Sequence, residues 1–378
     1  MTSRSRLFRL TAVFLTIPLL CACVRGVPIE KMGLIVAVGY DYLPNHKIMG
    51  TTTLYQIDPN AKEKVTVLSN TAYTSKGSRN KMNQESSVTL VSGQLRVALY
   101  DEKLARQGIL NLVDTLARDK DIGSGVYINI AKGRALGILS HRYPEIGNIG
   151  TFLYNQNEQN ITGEQIISST LHDFLHDYYA PGQDPAVPCV TRVDNEVHLD
   201  EIALFQGDRM VTKIPSRSSF FLKLLRGRFH AGMIELAVDL DGLEAQQKRK
   251  GESKHTHSVI DNISSKTKIR LKGQNPPRFH IQVDMYARLQ EITSEIELSK
   301  PEQVKKLEVQ LAKSITNEIE NLIRTIQKYN VDPAGFGQKY KASVRGSNLT
   351  KDKWRKMFPK AQFQTDVKLT LVRTGVTD

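Results

Sequence analysis

The chain has 378 residues, 40% of them hydrophobic, and its 52 basic residues outnumber its 39 acidic ones to give a formal net charge of +13. A chain of this length is too long for one compact core, so we expect two or three domains. The basic residues are scattered among glutamates and no aromatic-basic motif accompanies them, so the composition does not indicate a nucleic-acid-binding protein.

The first 22 residues predict a lipoprotein signal peptide. Three arginines precede an apolar run, Leu10–Leu20, which has the length of a signal core and is too short to span a bilayer. The run ends in Leu20-Cys21-Ala22-Cys23, where a branched residue at −3 and a small residue at −1 precede a cysteine, as in the lipobox of bacterial lipoproteins. We therefore expect residues 1–22 to be removed as a signal.

Cys23 is the predicted lipid attachment site, and residues 23–32 are the predicted tether behind it. Cys21 fits less well as the acceptor, because a proline and a leucine would occupy its −3 and −1 positions. The alternative is an ordinary secreted protein in which neither cysteine is acylated. The membrane is therefore the first predicted partner, reached through a lipid anchor.

Residues 33–195 are predicted to form an N-terminal α+β domain. Short apolar runs bounded by glycines or turns predict strands, and apolar residues three or four apart predict helices. The predicted strands cover 33–39, 49–57, 94–100 and 126–131, and the predicted helices cover 102–118 and 162–179. The polar stretch 71–87 lacks apolar periodicity and is expected to be a loop or a frayed helix.

The segment 181–195 is rich in proline and aspartate and is interpreted as a domain boundary. After it we predict a small middle α+β domain over 196–257. Its predicted parts are a β-hairpin that turns at Gly207-Asp208, a helix over 216–225 and an exposed charged loop over 241–257.

The C-terminal domain, 258–378, has the clearest pattern. Alternating apolar residues predict a strand over His280–Leu289. Ser299-x-x-Glu302 has the spacing of a capping box and precedes an apolar periodicity that predicts a helix to about Tyr329. A closing strand is predicted around Phe363–Leu371. The predicted fold is α+β: three mixed α/β domains with amphipathic helices packed on sheets, the long helix and closing strand being in the last domain.

No catalytic constellation is recognisable in the sequence. His172 and His176 lie four apart on a predicted helix, as two zinc ligands would, but Asp173 stands where zinc proteases of that kind have glutamate, and no third ligand motif follows. Cys189 has no nucleophile motif around it and is predicted to be a small buried residue. We expect no catalytic residue, no metal and no cofactor, and therefore a binding or assembly role rather than an enzyme.

Motifs in the last fifty residues are more specific. Asp332-Pro-Ala-Gly-Phe-Gly337, Trp354-Arg-Lys-Met-Phe-Pro359 and a strand closing on Arg373-Thr-Gly375 occur in this order. They resemble the Ger(x)C family of spore-germination lipoproteins, in which D-x-x-G-F-G, W-x-x-x-F-P and a terminal R-x-G recur. The residues that carry this resemblance are Asp332, Gly335, Phe336, Gly337, Trp354, Phe358, Pro359, Arg373 and Gly375.

These motif residues are predicted to be structural. Gly335 and Gly337 suit a positive φ or a close approach of two backbones. Trp354 and Phe358 form an i, i+4 pair that is expected to hold a helix against the sheet carrying the closing strand.

The resemblance implies a C subunit of a nutrient germinant receptor. Such a subunit would be lipid-anchored on the outer face of the spore inner membrane, would act beside integral membrane A and B subunits, and would have a three-domain α+β fold. Two alternatives stay open from the residues themselves. One is an independent solute-binding lipoprotein, and the other is a zinc hydrolase that uses His172 and His176.

Overall fold

A computed structural model describes residues 28–57, 64–227, 229, 232–240, 243, 255–294 and 296–372. The predicted signal peptide, Cys23, Arg373 and Gly375 lie outside these residues. The described chain forms two β-sheets and ten α-helices. None of the described helices combines the length and the apolar composition that crossing a bilayer requires.

The strands are β1 (Met32–Tyr42), β2 (Ile48–Gln56), β3 (Val65–Ala72), β4 (Thr89–Val91), β5 (Val97–Asp101), β6 (Tyr127–Ala131), β7 (Ala186–Val193), β8 (Glu196–Gln206), β9 (Arg209–Pro215), β10 (Met233–Asp239), β11 (His255–Gln274), β12 (Pro277–Ile292) and β13 (Gln362–Leu371). The helices are α1 (Ser75–Glu85), α2 (Glu102–Gln107), α3 (Leu110–Ala117), α4 (Ala135–Leu139), α5 (Ile149–Thr162), α6 (Leu171–Tyr179), α7 (Ser218–Arg226), α8 (Pro301–Lys328), α9 (Phe336–Ser343) and α10 (Lys351–Met357).

The first sheet has nine strands in the order β3-β2-β1-β5-β6-β7-β8-β9, with β4 paired to β1. Its centre is parallel, and both ends are antiparallel hairpins. Every residue of β5 and β6 is buried, as expected for central parallel strands that are covered on both faces. Helices α2, α3 and α6 pack on one face, and α4 and α5 pack on the other.

The second sheet has four strands in the order β10-β11-β12-β13, and β12 and β13 are parallel. The long helix α8 covers one face, where its residues Leu311, Ile315 and Ile319 pack in one core with Ile281 and Val283 of β12. The same core includes residues of β8, β9 and α7, so it connects the two sheets. The molecule is thus a mixed α/β protein with two sheets, and the predicted mixed class with helices packed on sheets is confirmed.

Several predicted elements are confirmed. The hairpin of β1 and β2, the hairpin of β8 and β9, the short helix α7, the alternating strand β12, the long helix α8 and the closing strand β13 all lie where the pattern predicts them. The alternation in β12 leaves Ile281, Val283, Met285 and Ala287 buried toward α8.

The predicted single helix over 102–118 is wrong, because two helices occupy this segment. Gly108 separates α2 from α3 with a φ of 118°, a conformation that no α-helix continues. The next backbone N–H, on Ile109, donates to the carbonyl oxygen of Asp208 at 3.1 Å and therefore bonds to a different part of the chain.

The predicted helix over 162–179 is also wrong, since it merges the end of α5 with α6. Helix α5 ends at Thr162, and Glu164, two residues later, has a φ of 60°, a conformation that does not continue an α-helix. Thr170 and Asp173 then form a capping box that begins α6.

Three other local predictions need correction. The polar segment 71–87 holds the end of β3 and all of α1, whose first turn is capped by the Thr74 hydroxyl accepting from the Gly77 N–H. Residues 255–257, predicted as loop, belong to β11. The capping box at Ser299 is absent, because Lys300 is the N-cap residue and Ser299 donates to Glu297 instead.

The segment interpreted as a domain boundary contains β7. A turn at Asp194 connects β7 to β8, and the two strands pair antiparallel within the first sheet. This sheet therefore continues across residue 195 as far as Pro215. The division into domains at 33–195, 196–257 and 258–378 stays a prediction.

Candidate functional site

Six of the predicted motif residues lie close together where the two sheets meet. Asp332, Gly335, Phe336 and Gly337 form the turn that leads into α9, and Trp354 and Phe358 lie on and just after α10. Pro359 lies in the single 3₁₀ turn after α10. We call the contact between this region and the first sheet the junction, defined by Gly182, Asp184, Asp332, Gly337, Trp354 and Arg355.

The carboxylate of Asp332 is the centre of the junction and is fully buried. Its Oδ1 accepts the backbone N–H groups of Gly335 at 2.8 Å and Phe336 at 3.1 Å. Its Oδ2 accepts the N–H of Gly337 at 2.8 Å and the indole Nε1–H of Trp354 at 2.9 Å. Three of these donors begin α9, where a negative charge is favourable.

Burial shifts the protonation of this carboxyl strongly. Loss of water raises the pKa of Asp332 to about 7 from its ordinary value of 3.8, and the neighbouring charge of Asp184 adds to the rise. The hydrogen bonds from Gly337, Phe336 and Trp354 act in the opposite direction. The carboxyl is enclosed by its own protein and has no exposed surface on which to act as a general acid or base.

Asp184 connects the first sheet to Asp332. Its N–H donates to the carbonyl oxygen of Asp332 at 3.0 Å, and the Asp332 N–H donates back to Asp184 Oδ2 at 2.8 Å. Asp184 Oδ1 also accepts the N–H of Gly207, in the hairpin between β8 and β9, at 3.1 Å. Arg355 of α10 donates from both terminal nitrogens to the two carboxylate oxygens, which is a bidentate ion pair.

Two glycine backbones touch at the same place. Gly182 has a φ of 82°, and a Cβ built on it would lie 2.5 Å from the Cα of Gly337. A Cβ on Gly337 would lie 2.4 Å from the Cα of Gly182 and 2.8 Å from the Trp354 ring. Only glycine fits either position, because the opposing atoms are backbone or a buried ring. Gly335 also has a positive φ, of 77°.

Further polar contacts surround the junction. Arg226, at the end of α7, donates from Nε to the Pro333 carbonyl oxygen at 2.9 Å and from a terminal nitrogen to Asp177 Oδ2 at 3.0 Å. The ammonium of Lys351 contacts the carbonyl oxygen of Tyr178 and lies 3.9 Å from the centre of its ring. Helices α6, α7 and α10 are thereby connected around the two aspartates.

Aromatic rings fill the space below α10. The rings of Trp354 and Phe358 lie 5.5 Å apart, and Phe358 lies 6.3 Å from Phe363 of β13. Phe363 in turn packs against Phe336 at 4.7 Å and Phe279 at 5.4 Å. Trp354 and Phe358 thus lie in an aromatic cluster that reaches β13 through Phe363, and their role in holding a helix against that sheet stays a prediction.

The histidine pair lies elsewhere, on the exposed side of α6. The rings of His172 and His176 are 6.3 Å apart beside an open groove of about 550 Å³. Asp173 accepts hydrogen bonds from Ser168 and Thr170 in the capping box, so it does not face the histidines as a base would. In the described part of the chain no three His, Cys, Asp or Glu side chains are placed to hold a metal, which leaves the zinc hypothesis without a third ligand.

Cys189 is buried in β7, where burial raises the pKa of its thiol to about 12, as expected for a packing residue. Sequence reasoning missed Gly182, Asp184 and Arg355. Gly182 and Asp184 lie in the segment interpreted as a boundary, and Arg355 lies inside the W-x-x-x-F-P motif. The unusual Pro181-Gly182 turn was the one local signal that could have indicated a close backbone contact.

The two mixed sheets, which are joined through buried carboxylates, give the chain a two-sheet α/β fold. The crystal structure of the GerBC protein has a similar fold. That structure aligns with a TM-score of 0.55 over 89% of this chain and 97% of that chain, at 18% sequence identity.

Sequence comparisons cover both halves of the chain. Residues 26–192 match the family model described as the spore germination protein N-terminal domain, and residues 200–375 match the one described as spore germination B3/GerAC like, C-terminal. The spore germination protein GerQC of Bacillus cereus is 26% identical over 375 residues, which are 98% of this chain and 99% of that protein. The chain belongs to the Ger(x)C family of spore germination proteins, as its C-terminal motifs predict.

Proposed function

We propose that this protein is the lipid-anchored, non-enzymatic C subunit of a nutrient germinant receptor. Its place would be the outer face of the spore inner membrane, where it would assemble with integral membrane A and B subunits. The observation that carries this proposal is the similarity to GerQC along nearly the whole chain, together with family matches on both halves.

The chemistry of the junction supports a role through surfaces rather than through catalysis. Asp184 is 3% exposed at its side chain, and each of its oxygens is bonded to Arg355. Asp332 is fully buried and accepts four N–H groups. These acidic groups serve to hold the two sheets together, which gives partner subunits one rigid surface to bind.

Replacement of the acylated cysteine tests the anchor. In spores that carry Cys23→Ala as the sole copy, we expect the protein to leave the membrane fraction after a high-salt wash, because the wash screens any remaining electrostatic contact. The matched control is Cys21→Ala, which should stay in the membrane fraction. Retention of the Cys23→Ala protein after the wash would contradict the anchor.

Co-purification tests the assembly. Affinity capture of the wild-type protein from spore membranes in detergent should recover integral membrane A and B subunits, identified by mass spectrometry, and nutrient germination should be lost when the gene is removed. A protein captured alone, whose melting temperature rises with one amino acid or sugar, would instead favour the solute-binding lipoprotein.

A further inference from the structure

The outward face of the second sheet is strongly basic. Helix α8 covers the other face, so alternate residues of β11, β12 and β13 point to solvent. Six exposed cationic side chains define what we call the basic face: Lys266, Lys268, Arg270 and Lys272 on β11, Arg278 on β12 and Lys368 on β13.

Strand pairing sets these charges side by side. Lys266 pairs with Asp284 and Arg270 pairs with His280 across β11 and β12. Asp284 and Asp366 are the two carboxylates between these cations, and Asp366 Oδ2 is 2.6 Å from His280 Nε2. The cations therefore outnumber the carboxylates, and neighbours on one strand are separated by about 7 Å.

One end of the basic face is concave. A depression of about 380 Å³ lies between the β11–β12 turn and the start of β13, and Lys272, Arg278 and Gln364 line it. Two cations and an amide at one depression can donate several hydrogen bonds to the oxygens of a phosphate group.

The composition of this face distinguishes between two kinds of anionic partner. Protein interfaces have an apolar, often aromatic, centre. On β11, β12 and β13, Tyr286 at 51% and Ile263 at 39% are the large hydrophobic residues with substantial exposure, and both lie beyond Lys266, at the end of the face away from the depression. An array of cations with little apolar surface between them suits the headgroups of an anionic membrane better than an acidic protein.

We propose that the basic face binds anionic phospholipid headgroups at a bilayer surface and so forms a second membrane contact besides the acyl group on Cys23. The inference rests on the membrane location proposed above. Two contacts fix the orientation of the protein on the membrane, whereas a single lipid anchor leaves its rotation free.

Vesicle binding tests this contact without the anchor. The mature chain with Cys23→Ala is mixed with vesicles of phosphatidylglycerol and phosphatidylcholine in equal parts, or of phosphatidylcholine alone, and sedimented. We expect binding to the anionic vesicles, release by added salt, and no binding to the neutral ones. Changing Lys266, Lys268, Arg270 and Lys272 together to Gln should weaken the partition coefficient by about fivefold for each cation removed.

A matched control removes the same net charge elsewhere. It changes four exposed lysines elsewhere in the chain to Gln: Lys103, Lys120, Lys306 and Lys341. This variant should keep most of the binding. Equal weakening in the two variants, or no binding of the mature chain to anionic vesicles, would overturn the inference.

Failure of the basic face and failure of the proposed receptor role would give different results. If the mature chain does not bind vesicles but still co-purifies with A and B subunits, the basic face is wrong and the receptor role stands. If vesicle binding is absent and the four-residue β11 variant also loses co-purification, the face binds an acidic protein surface and the lipid contact is overturned.

Discussion

Two pairs of buried aspartates accept backbone N–H groups in this fold, one pair within the first sheet and the other where the two sheets meet. Asp41 and Asp101, in the first sheet, accept backbone N–H groups at the starts of α4 and α2. Asp332 does the same at the start of α9, but it also accepts the Trp354 indole N–H. Its backbone N–H donates to the Asp184 carboxylate and its carbonyl oxygen accepts the Asp184 N–H, just before β7 of the first sheet. The first pair organises one sheet, and the second pair joins two.

This difference predicts which variants should destabilise one sheet and which should also weaken the contact between the two sheets. Removing a helix cap within the first sheet should destabilise that sheet alone, since Asp41 and Asp101 contact elements of one layer. Removing a group at the junction should loosen the two sheets from each other as well. Variants in both regions, compared with surface controls, therefore measure how strongly the sheets depend on one another.

The largest effect is expected from Gly182→Ala. The new Cβ would meet the Gly337 backbone and would also strain a residue with φ of 82°, so the free energy of unfolding should fall by about 3–5 kcal/mol, as measured by urea denaturation. Gly133→Ala is the matched control, because Gly133 has a φ of 88° with no atom within 4 Å of its Cβ position. It should lose about 1–2 kcal/mol, and equal losses would contradict close packing at the junction.

Asp332→Asn should have the next largest effect. The amide nitrogen cannot accept, so two of the four N–H groups around Asp332 would lose their partner at a cost of about 2–4 kcal/mol at pH 8, where the wild-type carboxyl is mostly ionised. Asp41→Asn leaves one N–H group without its acceptor and should lower the free energy of unfolding by about 1–2 kcal/mol. The exposed Asp284→Asn should stay within about 0.5 kcal/mol of wild type. A larger loss of stability from Asp41→Asn than from Asp332→Asn would contradict the greater importance of the junction.

Arg355→Lys keeps the charge but loses the bidentate geometry with Asp184. We expect a loss of about 1–2 kcal/mol in chemical denaturation. Arg324→Lys, on a side chain that is 65% exposed beside Glu320, is the control and should change stability by less than about 0.5 kcal/mol. If both variants behave alike, the Asp184–Arg355 pair does not help to hold the sheets together.

The smallest expected effect is a dependence of the free energy of unfolding on pH, which should be absent when Asp332 is replaced. The folded carboxyl keeps its proton up to a pKa of about 7, whereas the unfolded one releases it near 3.8. Its contribution to stability is therefore fully present below the unfolded pKa and is lost as the pH rises through 7. Between pH 6 and pH 8 the stability difference between wild type and Asp332→Asn should shrink by about 1 kcal/mol, and a widening difference would contradict the raised pKa.

The sequence predicts best the elements whose pattern is local. Helix α8 is recognisable because apolar residues recur every three or four positions, and β12 because they alternate. Helix α5 has no such pattern: its buried side includes Asn157, which bonds to Asn129 of β6, and a polar residue that is buried by a distant partner leaves no periodic signal. The helix break at Gly108 also involves a distant partner, because the next N–H, on Ile109, donates to the carbonyl oxygen of Asp208.

The junction illustrates the limit for sites. Gly335, Gly337, Trp354 and Phe358 could be recognised because they form compact motifs. Asp184 could not be paired with Asp332 from sequence, because an aspartate 148 residues away gives no local indication of its partner. The family resemblance identified one side of the contact, and the fold was needed to supply the other.

The spacing of the Asp184 contacts also sets an order of events during synthesis. Asp184 is made 148 residues before Asp332, whose N–H it accepts, and 171 residues before Arg355, so the guanidinium that neutralises it does not exist while the first sheet forms. Contacts of such high sequence separation are among the last to form. The newly made first sheet must therefore carry Asp184 without its arginine, and Gly182 without the Gly337 backbone beside it, until residues 332–355 have been made, so we expect the junction to close after the first sheet has formed.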